Sequence, residues 1–378
     1  MTGAMYAAIS GLKAHMNKLN VIGNNIANVN TYGYKTQRAM FSDSIYATLT
    51  AGSDGTETAG AINPSQIGYG VEMSSVDLDM SSGTFSPTGK DTDCMIMGDG
   101  FFLVGDKGVY INPNDPRTLT SLSLTRVGNF EFKADGYLSD ANGNAVYGFM
   151  AVGNSGKETI FSEDLVAIQM PRLLTEYLDG DGNPVETPQE GETYEVVPRV
   201  VLPGDPDYDD SLPYAGMDSI SIDPATGLVS GTSKDTGMIV TIGILALGNV
   251  TNPNGVTHES GPYYKASDGA GDLQIAVMGD AQNSMRMLNG DATFETWADF
   301  NLADMTHAFT HINGSTDDSM RIFSAGTTEL MTGGLEMSKT DLATEISEMI
   351  TTQRGYQANT RIITVTDSML EELVNIKR

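Results

Sequence analysis

Near the start of the chain, apolar residues fall at Met5, Ile9, Leu12, Met16, Leu19 and Ile26, with Gly23 at the intervening position. The steps alternate between four and three, which is the seam of a helix that packs against another helix. The remaining positions are mostly small or amide-bearing: Ala4, Ala7, Ala8, Ser10, Asn17, Asn20, Asn24, Asn25 and Asn28. A helix of about 26 residues would span roughly 39 Å. Thr31-Tyr32-Gly33-Tyr34 should end it, with Asn30 or Gly33 suited to a left-handed turn. The C-terminal segment mirrors this pattern. Leu342, Ile346, Met349, Gln353 and Tyr356 make one stripe, and Ile362, Val365, Met369, Leu373 and Ile376 make a second. The stripe slips around Gly355, where the helix is expected to bend or change partner. Asp341, Glu345 and Glu348 come early and Lys377 and Arg378 last, an order that suits the helix dipole.

Between the ends the period changes. Lys35 to Gly70 reads as polar and loop-like. From Val71 the alternation is that of strands, with Val71, Met73, Val76, Leu78 and Met80 in one stretch and Phe101 to Val104 as a short buried run. Asp135-Gly136 and Asn142-Gly143 separate short apolar runs and predict hairpins. Ala151 to Ala215 is rich in Pro, Gly and acid, and strand alternation returns over Ile220 to Met278. Phe294 to Phe309 has a partly helical pattern.

These patterns predict an α+β chain in which long N- and C-terminal helices form a coiled pair around nested β-rich middle domains. The expected divisions are a terminal helical assembly domain, 1–34 and 335–378, and a connecting loop region, 35–70. A β-rich middle domain follows, 71–150 and 216–334, with an insertion at 280–325; a small acidic outer domain occupies 151–215. Periodicity alone leaves two readings of the terminal seams: a core stripe inside one folded subunit, or a surface for assembly.

At 378 residues the chain exceeds one ordinary core. The formal charge, 21 − 49 = −28, argues against binding to phosphate backbones or anionic lipid, so no nucleic-acid partner is expected. The N-terminus lacks a basic start followed by an apolar run, so a secretory signal is not expected. No segment reaches the apolar length of a membrane span, so neither is membrane insertion.

Candidate chemistry is sparse. Asp179, Asp181, Asn183 and Glu190 imitate a calcium loop, but Pro184 stands where the sharp turn needs glycine. Asp304, His307 and His311 would share a helical face and could bind zinc, yet Ala308 follows His307 where a metalloprotease has glutamate. An acidic turn and an ordinary helical face are the plainer accounts. Gly98-Asp99-Gly100 lacks the Lys and helix start of a phosphate loop. Cys94 is the single cysteine, with Asp91 and Asp93 beside it to raise its pKa and not to activate it. No cofactor, catalytic set or metal site is expected, and the chain is not read as an enzyme; a metal-dependent enzyme using Asp304, His307 and His311 is the distant alternative.

Several motifs do stand out in order. Val21-Ile22-Gly23-Asn24-Asn25-Ile26-Ala27-Asn28-Val29-Asn30-Thr31, then Gly33-Tyr34-Lys35, with Ser10-Gly11-Leu12 upstream, resembles the N-terminal signature of the bacterial flagellar rod and hook protein family. Gln353-Arg354-Gly355-Tyr356-Gln357-Ala358-Asn359, Thr366-Asp367-Ser368-Met369-Leu370 and Leu373-Val374-Asn375 are similar to its C-terminal helix. Gly98-Asp99-Gly100-Phe101-Phe102, Arg126-Val127-Gly128-Asn129-Phe130, Gly136-Tyr137-Leu138 and Gly334-Leu335-Glu336-Met337-Ser338 are similar to its central motifs. Asn63-Pro64, Gln66-Ile67-Gly68, the last six residues and the length look more like the hook members, while Lys35 to Phe41 resembles the distal rod members.

The resemblance implies a structural subunit that polymerises with itself into a tube, its terminal helices forming the inner wall. It implies signal-less export through the flagellar type III apparatus to the basal body and hook, outside the cell. Partners implied are a rod protein below, a hook–filament junction protein above and a hook cap during assembly. The residues expected at the assembly interface are Ile9, Leu12, Met16, Leu19, Ile26, Leu342, Ile346, Met349, Tyr356, Ile363, Met369, Leu370 and Leu373. Asn24, Asn25 and Asn28 are expected to hydrogen-bond between neighbouring helices.

Overall fold

A computed structural model describes residues 2–52, 54, 60–109, 111, 119–155, 158–162, 165–178, 195–203, 205, 207–278, 286–287, 306–307, 322–324 and 328–376. The architecture is α+β, with a helix at each end of the sequence and a large β-rich middle. Two compact units form: Met1–Met80 with Ser338–Arg378, and Ser81–Met337.

The first unit holds helix α1, Thr2–Ala27, four strands and helix α2, Leu342–Ile376. The 26 residues of α1 match the length of the N-terminal pattern, and Gly33 adopts the left-handed φ of 69° beyond its end. Asp341 starts α2: its carboxylate accepts from the Ala343 N–H at 3.0 Å and the Thr344 hydroxyl at 2.6 Å. These bonds hold the Asp341 carboxyl below the usual range. Lys377 and Arg378 lie outside the described residues.

The stretch read as a loop, 35–70, contains three strands: β1 Gln37–Asp43, β2 Tyr46–Thr50 and β3 Ser65–Gly68. β1 pairs antiparallel with β4, Val71–Leu78, and β2 with β3. Both are two-stranded ribbons with much of each face in solvent, so they need no clean apolar alternation.

In the second unit most strands join one array that closes on itself. Its core includes Phe101, Phe102, Leu103, Val104, Phe130, Tyr147, Phe149, Ile244 and Leu247, all nearly inaccessible. The predicted hairpins are present. Glu131–Phe132 pairs with Leu138–Ser139 across Gly136, and Ser139 pairs with Ala145 across Gly143; both glycines have positive φ. Within 151–215, Arg172–Leu178 and Glu195–Val201 form a separate antiparallel hairpin. At its base Arg199 donates to Glu176 and Asp207.

Three glycine-containing motifs separated in sequence meet inside this unit. Arg126 is buried, its guanidinium donating to Gly98 O at 2.9 Å and Ile96 O at 3.5 Å and lying over the Phe101 ring. Glu336 is 3.9 Å away and accepts from the Gly83 N–H at 2.7 Å. Burial pushes the Arg126 guanidinium below its ordinary range, and the Glu336 charge opposes that. Gly128 lies against the Cys94 carbonyl, where an added Cβ would sit 1.9 Å from the oxygen. Burial, then the Asp93 charge, pushes the Cys94 thiol up, so this cysteine is a core residue.

Candidate assembly surface

Within the first unit the two helices run side by side and antiparallel. Asn25 Nδ2 donates to Glu345 Oε1 at 3.0 Å, and Lys18 Nζ reaches Glu348 Oε2 at 2.9 Å. Two glycines set the closest approach. A Cβ on Gly355 would meet the His15 ring at 2.8 Å, and one on Gly11 would meet Asn359 Nδ2 at 2.6 Å. Gly355 therefore makes room for a neighbouring ring inside a continuous helix, and α2 runs unbroken through it.

The face of α1 turned to α2 is not the apolar seam. The α1 residues in contact with α2 include Gly11, His15, Lys18 and Asn25, and the buried positions of α1 are Ala8, Gly11, Ala14, Ile22 and Asn25, mostly small or polar. On α2 the matching line is Glu345, Met349, Thr352, Tyr356, Asn359, Ile363, Thr366 and Leu370, buried or half-buried at steps of four and three. The seam residues lie off this contact. Ile9 and Met16 are exposed, while Leu12, Leu19 and Ile26 are half-buried. On α2, Leu342, Ile346, Met369 and Leu373 are exposed, and Met349, Tyr356, Ile363 and Leu370 sit on the α1-facing line. Ile350, Ile362, Val365 and Ile376 add to the exposed apolar surface.

The three asparagines differ in surroundings. Asn25 is 1% exposed. Its amide donates to Gln37 O and Glu345 Oε1, and its carbonyl accepts from the Tyr34 hydroxyl and the Gln37 N–H. All four hydrogen bonds are inside its own chain, so Asn25 ties α1, the turn after it, β1 and α2 together. Asn24 is exposed and donates to the Tyr34 hydroxyl at 3.2 Å. Asn28 donates to Asn24 O and Oδ1, at 2.9 and 3.0 Å. Burial pushes the Glu345 carboxyl above the usual range, and the Asn25 donor works against that.

Sequence periodicity found the exposed stripes and missed the small-residue line, because Ala, Gly and Asn give no hydrophobic signal. It also missed a second exposed apolar group on the β2–β3 ribbon: Ile45, Tyr46, Leu49, Ile67 and Tyr69. Of the weighed metal sites, the calcium-like loop lies outside the described residues, as do Asp304 and His311. Thr306–His307 is extended and pairs with Arg286–Met287. The rest of 280–325, and most of the helical pattern at Phe294 to Phe309, also lie outside. Among the described residues no group of three or more His, Cys, Asp or Glu is placed to hold a metal, and no helix is long and apolar enough to cross a membrane.

Two family models match where the helices stand. One, described as flagella basal body rod protein, matches residues 5–35; the other, flagellar basal body rod FlgEFG protein C-terminal, matches residues 331–376. The chain is 28% identical over 382 positions to the flagellar basal-body rod protein FlgG of Bacillus subtilis, covering the whole of both chains. It is 26% identical over 460 positions to the flagellar hook protein FlgE of Borreliella burgdorferi, again whole chain against whole chain. The hook protein FlgE of Treponema pallidum is similar to the same extent, 26% over 480 positions. The chain is thus similar to flagellar rod and hook proteins, at both helical ends and along its length. Both its hook and its rod relatives span the chain from end to end.

Proposed function

We propose that this chain is the structural subunit of the bacterial flagellar hook, polymerising into a flexible tube that joins rod to filament. The observation that carries the reading is the pair of terminal helices. Their mutual contact includes Gly11, Asn25, Thr352 and Thr366 beside Met349, Tyr356, Ile363 and Leu370, and leaves further apolar stripes outside. A helix that exposes Ile, Leu and Met along several turns has a large free-energy gain available from burial, on the order of 25 cal/mol per Å². Other copies of the same chain, presenting the same stripes, are suitable partners.

In this reading the helices form the inner wall as a coiled pair and supply subunit affinity. The β-rich middle, with the acidic part at 151–215 outermost, forms outer layers whose softer contacts slide as the tube bends. The role is mechanical and not catalytic. The relatives named as hook proteins support it, and so does the match of both helical ends to flagellar models. Export without a cleaved signal through the flagellar apparatus, the hook cap, and contacts to rod below and junction protein above follow from the same reading.

A second reading, a distal rod subunit forming a rigid shaft, is favoured by the end-to-end similarity to a rod protein. Electron microscopy of the concentrated chain separates the two, alongside a chain lacking residues 1–31 and 341–378. Curved tubes from the full chain alone are the expected result. Straight tubes would favour the rod, and no polymer from the full chain would count against both.

A further inference from the structure

Sulfur in this chain is almost all thioether, with 21 methionines against one cysteine. That cysteine, Cys94, is fully buried, and burial together with the Asp93 charge holds it away from the reactive thiolate form. An oxidant in solution therefore meets methionine first. Among the described residues the exposed methionines are Met16, Met40, Met97, Met238, Met337 and Met369. Two of these stand on the outer stripes of the terminal helices. Met16, 45% accessible, lies two turns beyond Ile9 on α1, and Met369, also 45%, lies between Val365 and Leu373 on α2. Met238 is more open at 68%, but it sits at the turn between Leu228–Ser233 and Ile239–Leu245 in the β-rich unit.

A hydroperoxide transfers one oxygen atom to a thioether. The sulfur gives up two electrons and gains an S=O bond, the O–O bond breaks, and the second oxygen leaves as water or an alcohol. The product carries a strong hydrogen-bond acceptor on what was an apolar side chain. In solvent, water satisfies that acceptor. Carried into an apolar contact without a donor, it bears the cost of an unpaired buried polar group. The neighbours along the stripes, Ile9 and Leu12 on α1 and Val365 and Leu373 on α2, have no side-chain donor to offer.

We propose that Met16 and Met369 are oxidation sites that set the assembly competence of the free subunit, a statement that rests on the polymer reading above. A hydroperoxide reaches both thioethers in the soluble chain and converts them to sulfoxides, and a subunit so changed is excluded from the tube. Assembly in turn covers both sulfurs, so the finished tube resists the same oxidant. Met238 and the other exposed methionines of the β-rich unit take up oxygen without this consequence, because they stand away from the helical stripes.

The test treats the soluble full-length chain with hydrogen peroxide, removes the peroxide, reads each methionine by peptide mass spectrometry and measures tube yield by sedimentation. Circular dichroism checks that the fold is retained. A chain carrying Met16→Leu and Met369→Leu keeps both stripes apolar, a swap that conserves volume, and retains Met40, Met97, Met238 and Met337 as oxidisable controls. The unchanged chain, once oxidised at Met16 and Met369, is expected to lose tube yield by about tenfold or more. The leucine variant is expected to assemble equally well before and after treatment. Equal losses in the two chains would place the damage elsewhere and overturn the inference. Normal tubes from a chain fully oxidised at Met16 and Met369, or no reaction at these residues in the soluble chain, would overturn it as well. Preformed tubes of the unchanged chain give a second reading that needs no variant: Met16 and Met369 should react there about tenfold more slowly, or less, than in the soluble chain, and equal rates would overturn the inference. Failure of the untreated, unchanged chain to polymerise would instead bring down the polymer reading, and this inference with it.

Discussion

Single residues show most clearly what the sequence motifs are for. Arg126 and Glu336 come from segments 210 positions apart, yet they meet as a buried ion pair at 3.9 Å. A buried charge that loses its partner is left desolvated, at a cost of about 3–5 kcal/mol, whereas replacing both partners by apolar groups is often close to neutral. Arg126→Met or Glu336→Leu should therefore lower stability strongly, and the double variant by clearly less than the sum. Urea unfolding followed by circular dichroism reads this out, and simple additivity would show that the pair is uncoupled. Glu345 gives a pH dependence of definite sign. Its folded-state pKa is raised by burial, so the fold favours the neutral acid. Its contribution is fully present below the unfolded value, about 4.3, and is lost as pH rises through the folded value. Glu345→Gln keeps an acceptor for Asn25 and removes the buried charge. It should melt higher than the unchanged chain at neutral pH, with the difference shrinking on acidification. A difference that grows toward low pH would refute the assignment.

At the scale of elements, the terminal helices, their lengths and the tight hairpins were legible because each has a local signal: a 3.6-residue period, or a glycine at a positive-φ turn. The helix–helix contact was not. Periodicity located the apolar seams, but the positions of α1 that meet α2 include Gly11, His15, Lys18 and Asn25. Small residues let backbones approach closely and leave no mark on a hydropathy pattern. The strands at 37–50 and 65–68 were equally hidden, since two-stranded sheets open on both faces need no strict alternation, whereas Val71–Leu78 showed it. Slippage of the α2 stripe at Gly355 was visible, but its cause was not a bend: the glycine admits the His15 ring. Two glycines separate propensity from packing. Gly23 has nothing within 4 Å of an added Cβ, so Gly23→Ala should gain about 1 kcal/mol of helix propensity. Gly355→Ala gains the same propensity but overpacks against His15, which costs about 1–3 kcal/mol. Helicity on heating the soluble subunit should rise for the first and fall for the second. A rise for both would mean that the close approach is absent in solution.

For the whole molecule, charge is divided unevenly along the sequence. Residues 81–337 hold 12 Lys and Arg against 37 Asp and Glu, 12 − 37 = −25, while the helical unit holds 9 against 12, 9 − 12 = −3. Like charge on the β-rich unit keeps separate subunits soluble and opposes their crowding, leaving the nearly neutral helical unit as the place where attraction can win. Isolated helices are marginal in water, so the terminal amides are expected to exchange faster in the free subunit than in the polymer. The exposed stripes of the terminal helices are expected to drive self-assembly. The most direct measurement is polymerisation of Met16→Glu, which places a charge on the exposed α1 stripe, away from the face turned to α2. The expected result is a folded subunit, with circular dichroism unchanged, that forms no tubes at concentrations where the unchanged chain assembles fully. Tubes of normal yield and form from Met16→Glu would contradict it.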